Sequence, residues 1–243
     1  MKYKFIRLNN YISQCGICSR RKADNLIKLN LIKVNNIIIN ILGYKINYNK
    51  DIIKYNDKII KIKKKIYLLF NKPSNCITTL KDNKYRNNIM NYIPNIYKKY
   101  GIYPIGRLDK NTTGILLLTN DGILYKKLTH PKYKIKKIYK VYLNKNFKKN
   151  DFIKIKKGIY LKEGKVKIYN IILQKNNKKI LIITIKLGWN RIIHRIFKKL
   201  NYNIINLDRI NFAGIKKPNI KKGKFIILND KIINYIKYKN KLL

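Results

Sequence analysis

The sequence is short of negative charge. Ten Asp and Glu residues stand against 58 Lys and Arg, leaving a formal charge of +48 at pH 7. Glu163 is the one glutamate, and alanine occurs twice in 243 residues. Three cysteines, Cys15, Cys18 and Cys76, do not make a disulfide framework. Cys15 and Cys18 form a C-x-x-C, but the other candidate ligands, Cys76, His130 and His194, are distant and lack ligand spacing. No metal or redox pair is therefore expected, and both cysteines read as small buried helix residues. No apolar run approaches the roughly 18 residues needed to span a bilayer. The opening MKYKFIRLNN has no apolar h-region, so no secretory signal is expected. A glycine-rich phosphate cradle is also missing, as is an amphipathic helix with a basic rim, which sets aside a membrane-surface role.

What is present is a chain with 46% apolar residues, enough for one or two folded domains. Its positive charge suits a polyanionic partner. The charge has a second possible source: the abundance of Lys, Asn, Ile and Tyr follows adenine- and thymine-rich codons. Charge alone therefore supports RNA binding without establishing it.

Leu8, Tyr11, Ile12 and Cys15 fall on one face of a helix that Gly16 ends. Ser19 is placed to cap a second helix over Arg20–Leu29, with Ala23, Leu26 and Ile27 on its apolar face. Ile32–Val34 and Ile37–Ile39 read as strands about an Asn35-Asn36 turn. Arg20, Arg21, Lys22 and Lys28 decorate the second helix and are candidate phosphate contacts, or else a solvated face. The basic run Ile59–Lys65 reads as a hinge, dividing a 1–62 module from a 66–243 domain.

In the second part, Ile66–Phe70 reads as a strand ended by Asn71-Lys72-Pro73, and Asn87–Ile93 as a helix. Ile115–Leu118 is a short apolar run closed by Asn120-Asp121-Gly122, followed by a short helix over Ile123–Leu128. Alternation predicts strands over Lys137–Tyr142, Lys165–Leu173 and Ile180–Leu187, helical spacing covers Asn190–Leu200, and Leu207–Phe212 and Phe225–Leu228 supply the last strands. Ile232–Ile236 forms a terminal helix. The expected class is α+β: a helix-helix-hairpin module followed by a mixed, largely antiparallel sheet with helices packed on it.

The string Tyr103–Asp109, with Thr112 and Gly114 and then LLLTNDG, places a carboxylate on a loop delivered by a strand. Alone, Asp109 would read as a turn cap. The complete string resembles the active-site motif of the RNA pseudouridine synthases, in the RsuA/RluB branch that acts on ribosomal RNA. The resemblance extends to the NKP segment at Asn71, to K-x-Y-x-V at Lys137–Val141, and to GWNRIIHRIF at 188–197 with the following LDRINFAGI. The first 60 or so residues resemble the RNA-binding domain named after ribosomal small-subunit protein four.

The resemblance implies that Asp109 is the catalytic carboxylate and Tyr139 the ring that lies against the target base. It implies support from Arg107, Arg191, His194 and Arg195, and needs no cofactor or metal. Two positions depart from the pattern: Trp189 replaces a basic or small residue, and His194 replaces an Arg or Lys that pairs with the catalytic Asp in relatives. Three readings follow. His194 pairs with Asp109 as an imidazolium of raised pKa; Arg195 or Arg191 supplies the charge instead; or the site is weakened. The implied activity is uridine isomerisation in ribosomal RNA, nearer the large-subunit members (RluB-like or RluF-like), by a monomer in the cytoplasm or the equivalent compartment of an organelle. The partner is ribosomal RNA or a pre-ribosomal particle, with no membrane. The alternatives are a small-subunit synthase, or an RNA-binding or ribosome-assembly protein that keeps the fold with weakened catalysis.

Overall fold

The computed structural model describes residues 5–242; the outermost residues of the two expected domains lie outside them. The chain divides into two compact units, but not at a single point in the sequence. One unit takes the chain up to Ile66, together with Ile93–Tyr103 and Thr119–Gly122. The other holds Tyr67–Tyr92, Pro104–Leu118 and the chain from Ile123 onwards. Asn120 explains the first unit's outlying segments: its side-chain amide donates to the carbonyls of Lys64 (3.0 Å) and Tyr100 (3.3 Å), and its oxygen accepts from the Ile66 N–H (2.9 Å).

In the first unit, helices Leu8–Gln14 and Arg20–Lys28 pack on small strands. Gly16 adopts φ +72°, which lets the chain turn back after the first helix. The Ser19 hydroxyl accepts from the Lys22 N–H, capping the second helix. Strands Ile32–Val34 and Ile37–Ile38 pair antiparallel about Asn35 and Asn36, both at positive φ as a tight hairpin turn requires. Leu8, Ile12, Cys15, Ala23, Ile27, Ile32 and Ile53 form the core of this unit. Cys15 belongs to it, and burial pushes its thiol up to about 12. The supposed hinge begins inside structure, because Lys58–Ile59 is a strand paired with Ile53–Tyr55.

The second unit is built on a mixed sheet. Its main strand order is Asn170–Leu173, Ile180–Ile185, Lys137–Leu143, Ile204–Phe212, Thr113–Thr119, Tyr67–Lys72, Phe225–Ile227. Ile204–Phe212 runs parallel to Thr113–Thr119 and antiparallel to Lys137–Leu143. All seven residues of Thr113–Thr119 are buried, as a near-continuous apolar run covered on both faces should be. Helices Gly122–Thr129 and Asp230–Lys239 send Leu124, Leu128, Ile233 and Ile236 into a core with Leu69, Ile115 and Leu117.

Two expected elements differ, and one helix was not expected. Asn87–Ile93 is not an α-helix but a single 3-10 turn, Ile89–Tyr92; the Asn88 side chain accepts the Met90 N–H and Pro94 stops extension. Lys165–Leu173 is broken in two: Gly164–Val166 hairpins with Ile159–Leu161, and only Asn170–Leu173 joins the main sheet. Helix Lys149–Lys157 was not legible, since its lysines obscure the apolar face around Ile155.

Candidate active site

The Asp109 loop is pinned on both sides of that residue. The Thr78 hydroxyl donates to the Leu108 carbonyl (2.8 Å) and its Oγ1 accepts from the Leu108 N–H (3.2 Å). After Asp109, the Lys110 carbonyl accepts from the Cys76 N–H (3.1 Å). The Lys72 ammonium then donates to the carbonyls of Pro73 (2.9 Å), Lys110 (3.0 Å) and Thr112 (2.9 Å). Asp109 closes the loop with its own carbonyl, which accepts the Thr112 N–H (3.1 Å). The residue itself is half-buried. A short polar loop fixed at these carbonyls holds the backbone that carries the Asp109 carboxylate.

Two strands carry the rest. Across the sheet, Gly114 is opposite Arg209 in the parallel pair, and Arg209 is opposite Tyr139 in the antiparallel one. These three residues form a row, all buried. Gly114 sits at φ +107°, and a Cβ there would lie 2.4 Å from the Arg209 carbonyl oxygen. Glycine is thus required by close backbone approach as well as by conformation. Beside this pair, Thr113 Oγ1 donates to Asp208 (2.7 Å), which also receives the Lys217 ammonium (2.8 Å).

Titratable groups lie within electrostatic reach of the carboxylate, Lys72 among them. Lys72 is fully buried, and burial pulls its ammonium down to about 8, with Asp109 and Cys76 opposing and Arg209 adding to the fall. Lys137, bounded by the carbonyls of Ile135, Lys186 and Leu187, is likewise pulled down to about 8, first by burial and then by Arg209. His194 lies within electrostatic reach of Asp109 and Arg191. Its pKa is lowered, not raised: burial outweighs the attraction of Asp109, and Arg191 pushes the same way. The raised pKa expected for an imidazolium pair is corrected accordingly: burial disfavours the charged ring here.

Arg195 points elsewhere. Both its terminal nitrogens bind Glu163 at 2.8 Å, so the expectation that it supports Asp109 is corrected as well. Arg191 is exposed, in the left-handed conformation at the start of helix Ile192–Lys199, and Arg107 is exposed on the loop before Asp109. Arg20, Arg21, Lys22 and Lys28 are all exposed on their helix in the other unit. Sequence reasoning gave no role to Lys72, Lys137 or Arg209, although all three lie in the segments that carried the resemblance. The signal was the presence of a long cation inside an apolar strand pattern, which a polar loop or solvated face does not need.

Among the described residues no helix is long and apolar enough to cross a membrane. Residues 66–199 match the family described as RNA pseudouridylate synthase, and residues 6–53 match the S4 domain. The chain belongs to the RNA pseudouridylate synthase family, a family of isomerases. Among its relatives, ribosomal large subunit pseudouridine synthase B of Bacillus subtilis (strain 168) is 42% identical over 133 residues. That match covers 55% of this chain and 53% of the Bacillus protein; an uncharacterized RNA pseudouridine synthase of Aquifex aeolicus, 38% identical over 135 residues, is also covered to 53%. The chain thus spans about half the length of these two relatives. Ribosomal large subunit pseudouridine synthase B of Buchnera aphidicola subsp. Baizongia pistaciae is 32% identical over 233 residues, covering 92% of this chain and 93% of that one. A solved pseudouridylate synthase superposes with a TM-score of 0.66 at 25% identity, over 95% of this chain and 99% of that structure.

Proposed function

We propose that the protein isomerises a uridine to pseudouridine in ribosomal RNA, with Asp109 as the catalytic carboxylate. The observation that carries this is the pinned loop: half-buried Asp109 sits on a backbone held by Thr78, Cys76 and Lys72, and leads into the strand that begins the row Gly114–Arg209–Tyr139. In the reaction the bond between ribose C1′ and base N1 breaks, the base turns, and C1′ bonds to C5. C5 gives up its proton and N1 acquires one, so no oxidant, metal or nucleotide enters the balance. A carboxylate serves by attacking C1′, or by taking the C2′ proton to give a glycal. The target base must first leave its stack, at a cost of a few kcal/mol. Phosphate contacts offset that cost, and Arg20, Arg21, Lys22 and Lys28 are the contacts proposed for the S4-like unit. Tyr139 is the proposed stacking partner, with Arg107 and Arg191 holding the RNA backbone near the loop.

The large-subunit RNA is the proposed substrate, because the two named relatives are large-subunit enzymes. The protein acts as a monomer in the cytoplasm or an equivalent organelle compartment, where that RNA is assembled. A second reading, RNA binding with weakened catalysis, is favoured by the lowered pKa of His194 and the engaged Arg195. Release of tritium from C5 of uridine in unmodified ribosomal RNA separates the two. Wild type is expected to release label and Asp109→Asn to release none; a silent wild type that still binds the RNA supports the second reading.

A further inference from the structure

Arg209 is the largest side chain in the fold to be fully buried, and it is not neutralised by a carboxylate among its described contacts. Its Nε donates to the Ile115 carbonyl at 2.8 Å, and its guanidinium lies 4.7 Å from the Phe212 ring centroid. Nη2 is buried without a hydrogen-bond partner. A guanidinium cannot shed its charge, so burial with an unspent donor is costly unless the position demands it. The position is the middle of the row Gly114–Arg209–Tyr139. Its backbone touches the strand that follows the Asp109 loop, its side chain binds that same strand one residue on, and its other edge pairs with Tyr139.

We infer that Arg209 is a positioning residue for the reaction, locking the strand that delivers Asp109 to the strand that delivers Tyr139. The inference rests on the Asp109 reading above. Ile115 is the residue after Gly114, so the Nε bond fixes the strand next to the point where the backbones approach most closely. The same guanidinium repels the Lys72 ammonium, which braces the Asp109 loop, and the Lys137 ammonium at the start of the Tyr139 strand. Lys72 faces Cys76, Asp109 and Arg209, with the carbonyls of Pro73, Lys110 and Thr112 around it. Lys137 faces Arg209 and the carbonyls of Ile135, Lys186 and Leu187. With both ammoniums pulled down to about 8, their protons are lost as the pH rises through that value, and Arg209 is the charge that helps set it.

The test measures tritium release from unmodified ribosomal RNA by the full chain, as kcat and KM from pH 6 to 9.5, for wild type, Arg209→Met, Arg209→Lys and Asp109→Asn. For Arg209→Met the expected result is a fall in kcat of about a hundredfold with KM within about twofold. The alkaline limb of the wild-type profile, near pH 8, should move to higher pH when the repelling charge is removed. A purely structural role would lower activity without moving that limb. Arg209→Lys keeps a cation only at the lower pH values and loses the planar fork, so its kcat at pH 6.5 falls about tenfold. A folded Arg209→Met with wild-type kcat and an unmoved limb overturns the inference. Where Arg209→Met fails to fold, a wild-type kcat in Arg209→Lys does so instead. Asp109→Asn keeps the two readings apart: label release by that variant sinks the catalytic assignment, whereas a silent Asp109→Asn beside an unaffected Arg209→Met sinks only the role of Arg209.

Discussion

The backbone of Arg209 occupies the space where a side chain at Gly114 would begin: a Cβ on Gly114 would sit 2.4 Å from the Arg209 carbonyl oxygen and 2.5 Å from its nitrogen. No rotamer change relieves such a contact, since both atoms belong to a strand in mid-sheet, and φ +107° adds strain for any L side chain. Gly114→Ala is expected to cost roughly 3 kcal/mol. Thermal unfolding followed by circular dichroism should show the midpoint falling by on the order of 10 °C. An unchanged midpoint would mean that the two strands can part freely, and that the row from Gly114 to Tyr139 is not tightly held.

Lys72 makes a second prediction. Its ammonium gives all three of its donors to carbonyls, two of them from the Asp109 loop. Lys72→Met fills the space but takes a donor from the carbonyls of Pro73 and Thr112, while Lys110 keeps the Cys76 N–H, at a cost of roughly 2–4 kcal/mol. The loop then loses its brace after Asp109, and label release should fall on the order of a hundredfold even at temperatures where the variant stays folded. Urea unfolding and tritium release on the same preparation check both halves. Full activity in a destabilised variant would reduce Lys72 to a stabiliser of the fold.

Tyr139 separates ring from hydroxyl. If the ring stacks on the flipped base, Tyr139→Phe keeps KM within about threefold and lowers kcat, while Tyr139→Leu loses roughly 1–3 kcal/mol in kcat/KM. Steady-state kinetics on unmodified ribosomal RNA distinguish the two variants. Equal behaviour of Phe and Leu would remove the stacking role.

Strands were legible where the pattern was apolar and bounded by turns. Ile115–Leu118 was found from its apolar run and its Asn-Asp-Gly ending, and the observed strand extends it only to Thr113 and Thr119. The Ser19 cap and the Asn35-Asn36 turn were equally plain, because each residue type does one local job there. The helix at Lys149–Lys157 was hidden by its lysines, and Lys165–Leu173 looked continuous because no glycine, proline or asparagine marks the break between Val166 and Asn170. In the proposed site, Asp109 and Tyr139 were singled out from long strings of specific residues. The environment of each was not. Whether His194 is charged depends on burial against one carboxylate and one guanidinium, and Arg195 is turned away by Glu163, 32 positions distant. Such balances are set by packing between segments remote in sequence, which residue spacing does not record.

His194 makes the last prediction, and its sign is the reverse of what an imidazolium pair would give. Burial, helped by Arg191 and opposed by Asp109, holds its pKa below the ordinary 6.5 in the folded chain. Above pH 7 the ring is neutral in both folded and unfolded states, and its contribution to stability is fully present. As the pH falls through 6.5, the unfolded chain takes up a proton that the folded chain does not, so folding is progressively disfavoured until the lower folded value is passed. Urea midpoints of wild type should therefore drop between pH 7 and pH 5 more than those of His194→Gln, which has no proton to gain. The catalytic rate should show no loss between pH 6.5 and 7.5, because the lowered pKa puts the loss of the imidazolium charge below that interval. A rate that declines across that interval in wild type but stays level in His194→Arg would restore the charged pair with Asp109 and show that the carboxylate prevails over burial at this position.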